Sequence, residues 1–236
     1  MLSIQNHFLD TNMILSIAFK ESNFNECRNY YKLEYERHIS YHVKDEAIGV
    51  IERMRLIASS MMNYIKKDMS SKNIKLSNLD FHMQKIKKSY LNQFKDESHI
   101  FGVKKEKFIK IVEDLFIEYH DEIRTAIINN DIKLESLSIK LKNAFKEYNK
   151  SVSRCLSNFE KFSFENNHDL INQLIDIGIH NSDAILVDDC YNKSKDINEK
   201  FVFVTQDKDI IKCSQDAFKL LNSQIHFSKP NSFLNN

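Results

Sequence analysis

Four carboxylates carry the chemistry open to this sequence: Asp10, Glu46, Asp183 and Asp207. Asp10 closes the apolar run Phe8-Leu9 and opens the polar trio Asp10-Thr11-Asn12. Asp207 follows Phe201-Val202-Phe203-Val204-Thr205-Gln206, and Asp183 stands between Asn181-Ser182 and Ala184-Ile185-Leu186. Brought to one place, such groups repel. Two like charges about 4 Å apart cost about 4 kcal/mol at an effective dielectric near 20. A protein keeps the cluster when a cation neutralises it or when protons are shared. Mg²⁺ and Mn²⁺ prefer oxygen ligands and retain exchangeable waters. Two such ions about 4 Å apart activate water and stabilise the leaving oxygen of a phosphodiester. The chemistry to expect is metal-assisted phosphoryl transfer on a polyanion.

The elements that must position these acids are readable at both ends of the chain. Asp10 ends a short buried strand, and a helix follows from Met13. The alternation Ile39, Tyr41, Val43 predicts a second strand. Ala47, Val50, Ile51, Met54, Ile57, Ala58 and Met61 then recur at helical spacing, which puts Glu46 in a helix's first turn. His168 to Ile177 reads as a helix that Gly178 terminates. Ser182 reads as the N-cap of the next, with Asp183 at its start. Phe201–Val204 is a buried strand, Lys208 to about Leu221 a helix, and Ile225 with Phe227 a last strand. Strands alternating with helices predict an α/β fold with a mostly parallel sheet, and such sheets bind ligands at the carboxyl ends of their strands.

Between these ends the character changes. Residues 65–165 are rich in Lys, Asn, Ser, Glu and Ile, and apolar positions such as Phe108, Ile111, Val112, Leu115 and Phe116 recur at helical spacing. Three or four amphipathic helices follow from that pattern. The division expected is a discontinuous α/β domain over 1–64 and 166–236, interrupted by an all-α insertion over 65–165. Residues 65–110 carry 12 lysines against 5 acids. Lys66, Lys67, Lys72, Lys75, Lys85, Lys87 and Lys88 suit a phosphate-binding wall, with Tyr64, Phe81 and Tyr90 as stacking faces. A solvated helix face is the bland reading of the same residues.

Bulk properties narrow the field. The 236 residues carry a net charge of +1, with 42% hydrophobic residues, so a packed core is available. Gly (3) and Pro (1) are scarce, which favours long helices. Cys27, Cys155, Cys190 and Cys213 are dispersed and read as reduced thiols, with Cys190 in the core. No leader pattern or long apolar window is present, so a cytoplasmic protein without a membrane partner is expected. A dinucleotide-binding glycine fingerprint is missing. A dehalogenase-like phosphatase would need a second Asp where Asn12 stands.

Together these stretches resemble the PIN-domain family of metal-dependent nucleases. Phe8-Leu9-Asp10-Thr11-Asn12 is similar to the family's opening motif, and Glu46 resembles its second acid by position and order. Asn181-Ser182-Asp183-Ala184-Ile185-Leu186 resembles the third-acid motif, and Val204-Thr205-Gln206-Asp207-Lys208-Asp209 the fourth. Lys229-Pro230-Asn231-Ser232-Phe233-Leu234 is similar to the usual exit from the last strand. The resemblance covers about 130 residues in two blocks. It implies a three-layer α/β/α fold and Mg²⁺- or Mn²⁺-dependent cleavage of RNA, with 5′-phosphate and 3′-hydroxyl products. In that reading Asp10, Glu46, Asp183 and Asp207 hold one or two metals, Asn12 and Thr205 orient the site, and Asp209 is an outer ligand. The long insertion departs from compact members.

RNA, including a structured RNA such as tRNA, is the implied partner, and a protein inhibitor or antitoxin and a homodimer are further partners to consider. A toxin, processing or defence nuclease all fit. The alternatives are a structure-specific DNA nuclease and a catalytically idle scaffold that binds RNA or a protein. Of the nearby polar residues, Asp188 and Asp189 read as mostly exposed, because they turn away from Asp183 on a helix. His180 is close enough to Asp183 in sequence to touch substrate, though a lone loop histidine is more often simply solvated.

Overall fold

Asn6–Leu9 forms β1, four wholly buried residues that must satisfy their backbone polar groups on both sides. They do so by pairing in parallel with β2 (Glu36–Ser40) on one side and β6 (Phe201–Val204) on the other. The structure is a computed structural model, and its description covers residues 4–19, 24–70, 78–128 and 134–234. Lys72 and Lys75 lie outside the described residues. The chain divides into two compact units, one of Met1–Ile48 with Tyr148–Asn236 and one of Gly49–Glu147. The joins fall inside long helices, not at 64/65 and 165/166 where composition changes.

The first unit is α/β. Its sheet is parallel throughout, in the order β5-β2-β1-β6-β7, with β5 at Lys161–Phe162 and β7 at Ile225–Ser228. Helices α1 (Thr11–Phe19) and α2 (Phe24–Tyr31) carry the chain from β1 to β2. Helices α7 (His168–Asp176) and α8 (Asn181–Asp196) carry it back to β6, and α9 (Lys208–Lys212) and α10 (Ser214–Leu220) lead on to β7. The β1-to-β2 crossover steps one way along the sheet, and the β5-to-β6 and β6-to-β7 crossovers step the other way. Right-handed connections therefore put the two groups of helices on opposite faces. Such an arrangement is compatible with three α/β/α layers.

The core is unusually aromatic. Phe8 stacks on Phe203 at 5.3 Å, Phe203 lies 5.6 Å from Phe227, and Phe162 meets Phe8 edge-on at 6.0 Å. Register explains the row, because Phe8, Phe203 and Phe227 are direct neighbours across three strands. The opposite face carries His7, stacked on Tyr35 at 3.9 Å, with Phe233 and Tyr30 around it. Burial of that imidazole lowers its pKa to about 4. Phe203 is fully buried at the centre of the row. Phe203→Ala is expected to destabilise the protein by about 3–5 kcal/mol in urea unfolding. A loss below about 1 kcal/mol would mean the row does not hold the sheet together.

Several expectations need correction. The second strand ends at Ser40, and Tyr41 opens a helix, α3 (Tyr41–Ser70). Ser40 Oγ accepts from Val43 N at 3.4 Å, a side-chain cap that turns the chain helical from Tyr41 on. Glu46 is consequently in the second turn of α3. Helix α8 begins at Asn181 with His180 as its N-cap, so Ser182 is not the cap and Asp183 is the third helical residue. The helix expected over Lys208–Leu221 breaks at Cys213, whose N–H bonds Asp209 and whose carbonyl starts α10 at Ala217. Gly178 does end α7 as expected, with φ +101°.

The second unit contains most of α3, then α4 (Leu79–Asn92), α5 (Lys105–Ile128) and most of α6 (Leu134–Ser157). It is not all-α. A two-stranded antiparallel hairpin pairs β3 (His99–Ile100) with β4 (Val103–Lys104). Its two-residue turn, Phe101-Gly102, has φ of +50° and +77°, the double positive φ of a type I′ hairpin, which leaves the glycine unstrained. The rings of Phe94, Phe101 and Phe108 pack under it, with Tyr90 beside Phe94 and Phe108. No helix among the described residues is long and apolar enough to cross a membrane.

Candidate functional site

Strand order reverses between β1 and β6, and in open parallel sheets the cleft forms at such a point. Asp10 leaves β1 there, its N–H still held by Val204 O at 3.1 Å. Thr205 leaves β6 alongside, its N–H held by Ser228 O at 3.0 Å. Thr205 Oγ1 donates to Asp10 Oδ2 at 2.5 Å, and it accepts from Asn12 Nδ2 at 3.1 Å and from Asp207 N at 2.9 Å. One donor and two lone pairs are thus all used. Asn12 Nδ2 also donates to Asp10 Oδ2 at 2.5 Å, while Asn12 Oδ1 accepts from Gln206 N at 3.1 Å. The two motifs at the strand ends lock together through the side chains of Asp10, Asn12 and Thr205 and the backbone N–H groups of Gln206 and Asp207.

The other acids arrive on helices. Glu46, on α3, accepts from Thr11 Oγ1 at 2.7 Å. Asp183 stands in the first turn of α8, where the helix dipole favours a negative charge. Asp207 caps α9, accepting from Asp209 N at 2.6 Å. Asp209 is exposed, and Lys212 Nζ donates to it at 2.6 Å, which holds its carboxyl below the ordinary range.

These placements put the acids within electrostatic reach of one another. Burial raises the Asp10 pKa to about 7, against the Thr205 hydrogen bond, and the charges of Asp183 and Glu46 push it further. Burial likewise raises Asp183 to about 6, with Asp207, Glu46 and Asp209 adding to the rise and His180 opposing it. All five carboxylates and His180 therefore belong to one coupled field. Among the described residues no three His, Cys, Asp or Glu side chains lie close enough together to hold a metal ion. The two findings agree in scale. Charge repulsion reaches several ångströms, whereas Mg²⁺–oxygen bonds are about 2.0–2.1 Å. In kind, the donors are hard oxygens that fit a divalent cation.

Two residues the sequence reading assigned no role emerge here. Thr11, inside Asp-Thr-Asn, ties Glu46 to the end of β1, and its place between two site residues was the available signal. His42, one helical turn before Glu46, sets its Nδ1 2.8 Å from Asp189 Oδ2, with the imidazole 40% exposed and the carboxylate 1% exposed. Asp188 and Asp189 are thus buried, contrary to expectation. The face of α8 that turns away from Asp183 packs on the β2 side of the sheet, where Ser40 and His42 meet Asp189 and Asn167 N bonds Asp188. Cys190 is buried as expected, and His180 is exposed. Lys66, Lys67, Lys85, Lys87 and Lys88 all belong to the helical unit.

No family model, no curated protein and no solved structure matches this chain.

Proposed function

We propose that this protein is a Mg²⁺- or Mn²⁺-dependent nuclease of the PIN type, cutting RNA endonucleolytically to leave 5′-phosphate and 3′-hydroxyl ends. The observation that carries the reading is the mutual coupling of Asp10, Glu46, Asp183 and Asp207 at the strand-order reversal. Burial, with the neighbouring acids adding to it, raises the Asp10 and Asp183 pKa values, and at neutral pH that is a net cost to folding which a bound cation would offset. The Asp-Thr-Asn and Thr-x-Asp-x-Asp resemblance supports the same reading independently.

Asp10, Glu46, Asp183 and Asp207 would hold the cation. When bound, it supplies charge neutralisation at the phosphate and acidifies a water at neutral pH. The chain's own groups do the rest. Thr205 and Asn12 fix the Asp10 carboxylate in one rotamer. Thr11 does the same for Glu46. His180, exposed beside Asp183, is placed to meet a phosphate at the rim. A toxin or defence role, and an inhibitor protein that covers this edge, fit the same chemistry.

The test uses the purified full chain, single-stranded RNA and DNA, and Mg²⁺ or Mn²⁺ against EDTA. Cleavage of RNA should require the metal, should leave 5′-phosphate ends, and should fall about a hundredfold or more in Asp183→Asn. Cleavage that persists in EDTA, or an Asp183→Asn protein as active as its parent, would sink the proposal.

A further inference from the structure

The charge of this chain is segregated. The helical unit, Gly49–Glu147, holds 19 Lys and Arg against 14 Asp and Glu, while the remainder of the chain holds 15 against 19. The whole excess lies in residues 85–110, where eight lysines face three acids. Elsewhere some basic residues are pinned to acids three positions away, as in Lys193–Asp196, Lys212–Asp209 and Arg55–Glu52. In 85–110 the exposed Lys85, Lys88, Lys95, Lys104, Lys107 and Lys110 make no ion pair among the described residues.

Helix α4 adds a second observation. Its buried face is Leu79, Met83, Ile86 and Tyr90. Phe81 lies on the other side, and its ring is 71% exposed. Lys85 and Lys88 follow at i+4 and i+7, within about 60° of Phe81 around the axis and about 6 Å and 10.5 Å along it. Lys87 is different, because its ammonium sits over the Phe116 ring at 5.4 Å. The one acid in the helix's first turn, Asp80, is held by His120 at 3.0 Å. The exposed stripe is therefore one aromatic ring followed by two unpaired cations, with the polar Gln84 and Asn92 filling it out.

We propose that this face of α4 is a platform for single-stranded nucleic acid, on which Phe81 stacks a base while Lys85 and Lys88 engage the adjoining phosphates. A lone ring amid polar positions gives no continuous apolar stripe for a membrane or a helical partner. A duplex keeps its base faces stacked inside, whereas a single strand offers both faces and charge together. The inference rests on the nuclease reading for the class of ligand, but its test measures binding with no cleavage.

Fluorescence anisotropy on the full chain in EDTA, with labelled single-stranded RNA, single-stranded DNA and a duplex, decides it. Single strands should bind more tightly than the duplex, and the tighter of RNA and DNA identifies the sugar. Phe81→Ala should weaken single-strand binding about tenfold. Lys85→Gln/Lys88→Gln should reduce the slope of log affinity against log salt by about 1.4, the share of two phosphates. The three changes are on the surface, so unchanged melting temperatures exclude misfolding as the cause. Parent-like affinity and salt slope in these variants overturns the platform. So does a parent that prefers the duplex or binds only protein. A chain that binds as described but never cuts RNA defeats the nuclease reading and leaves the platform standing.

Discussion

Asp10→Asn is expected to abolish metal-dependent RNA cleavage, by about a thousandfold or more, while making the metal-free protein more stable at pH 8. The two effects have one origin. Asp10 is 2% exposed, and burial with two acidic neighbours raises its pKa from 3.8 to about 7. At pH 8 keeping its charge costs on the order of 4 kcal/mol. The amide removes that charge and still accepts from Thr205 and Asn12 through its carbonyl oxygen. Its new N–H₂ must find a partner, so the net gain should be about 2 kcal/mol, or several degrees in melting temperature. The same change removes a charged oxygen from the place where a cation and a phosphate must meet, and losses of this kind run to a thousandfold. Parallel melting and cleavage measurements check both. An Asp10→Asn protein that is less stable at pH 8 and cuts like its parent would make Asp10 a structural residue.

The second large effect is a pH-dependent stability difference between the parent and Asp10→Asn. Between pH 3.8 and about 7 the native parent binds a proton at Asp10 that the unfolded chain has lost. Stability contributed at this site therefore falls as pH rises through that window, by up to about 1.4 kcal/mol per unit, and is level outside it. Asp183, raised to about 6, acts in the same direction over a narrower range. His7 acts oppositely. Its pKa is lowered to about 4, so acidification below 6.5 favours the unfolded chain, which binds the proton first. The raw profile mixes these terms, and the difference between the two proteins isolates Asp10. Asp10→Asn should be less stable than the parent by about 1–2 kcal/mol at pH 4, where only the unpartnered amide N–H₂ counts, and more stable by about 2 kcal/mol at pH 8. Mg²⁺ or Mn²⁺ should then raise the melting temperature of the parent, more at pH 8 than at pH 5, and raise that of Asp10→Asn far less. A difference that does not change with pH would mean that Asp10 titrates as an ordinary surface acid. Equal metal stabilisation in both proteins would place the cation elsewhere.

Local signals were readable wherever a short stretch decides its own conformation. Phe201–Val204 has only β-branched and aromatic residues, and it is a strand. Gly178 follows a helical period and ends the helix with a positive φ. Polar residues at the strand ends, Asp10 with Asn12 and Thr205 with Asp207, mark where chains leave a parallel sheet. Local signals misled where two periods overlap. Ile39, Tyr41 and Val43 alternate like a strand, but Val43 and Ala47 are also one helical turn apart, and the Ser40 cap decides for the helix. The Phe101-Gly102 hairpin was hidden inside a helical composition because only one of its two turn residues is a glycine.

Asp188 and Asp189 mark the limit. Helical geometry correctly turned them away from Asp183, but whether that other face meets water or protein depends on where β2 and His42 lie, and those are far away in sequence. The identity and order of the acids, the strands that end beside them and the charge excess of residues 85–110 were all set by sequence. The coupling of the acids was decided only by tertiary structure. It needs the β1–β6 register, which aligns Leu9 with Val204, and the seat of α8 against β2, β6 and β7. A residue's neighbours along the chain set its backbone and its face, but distances between charges are set by which strands pair.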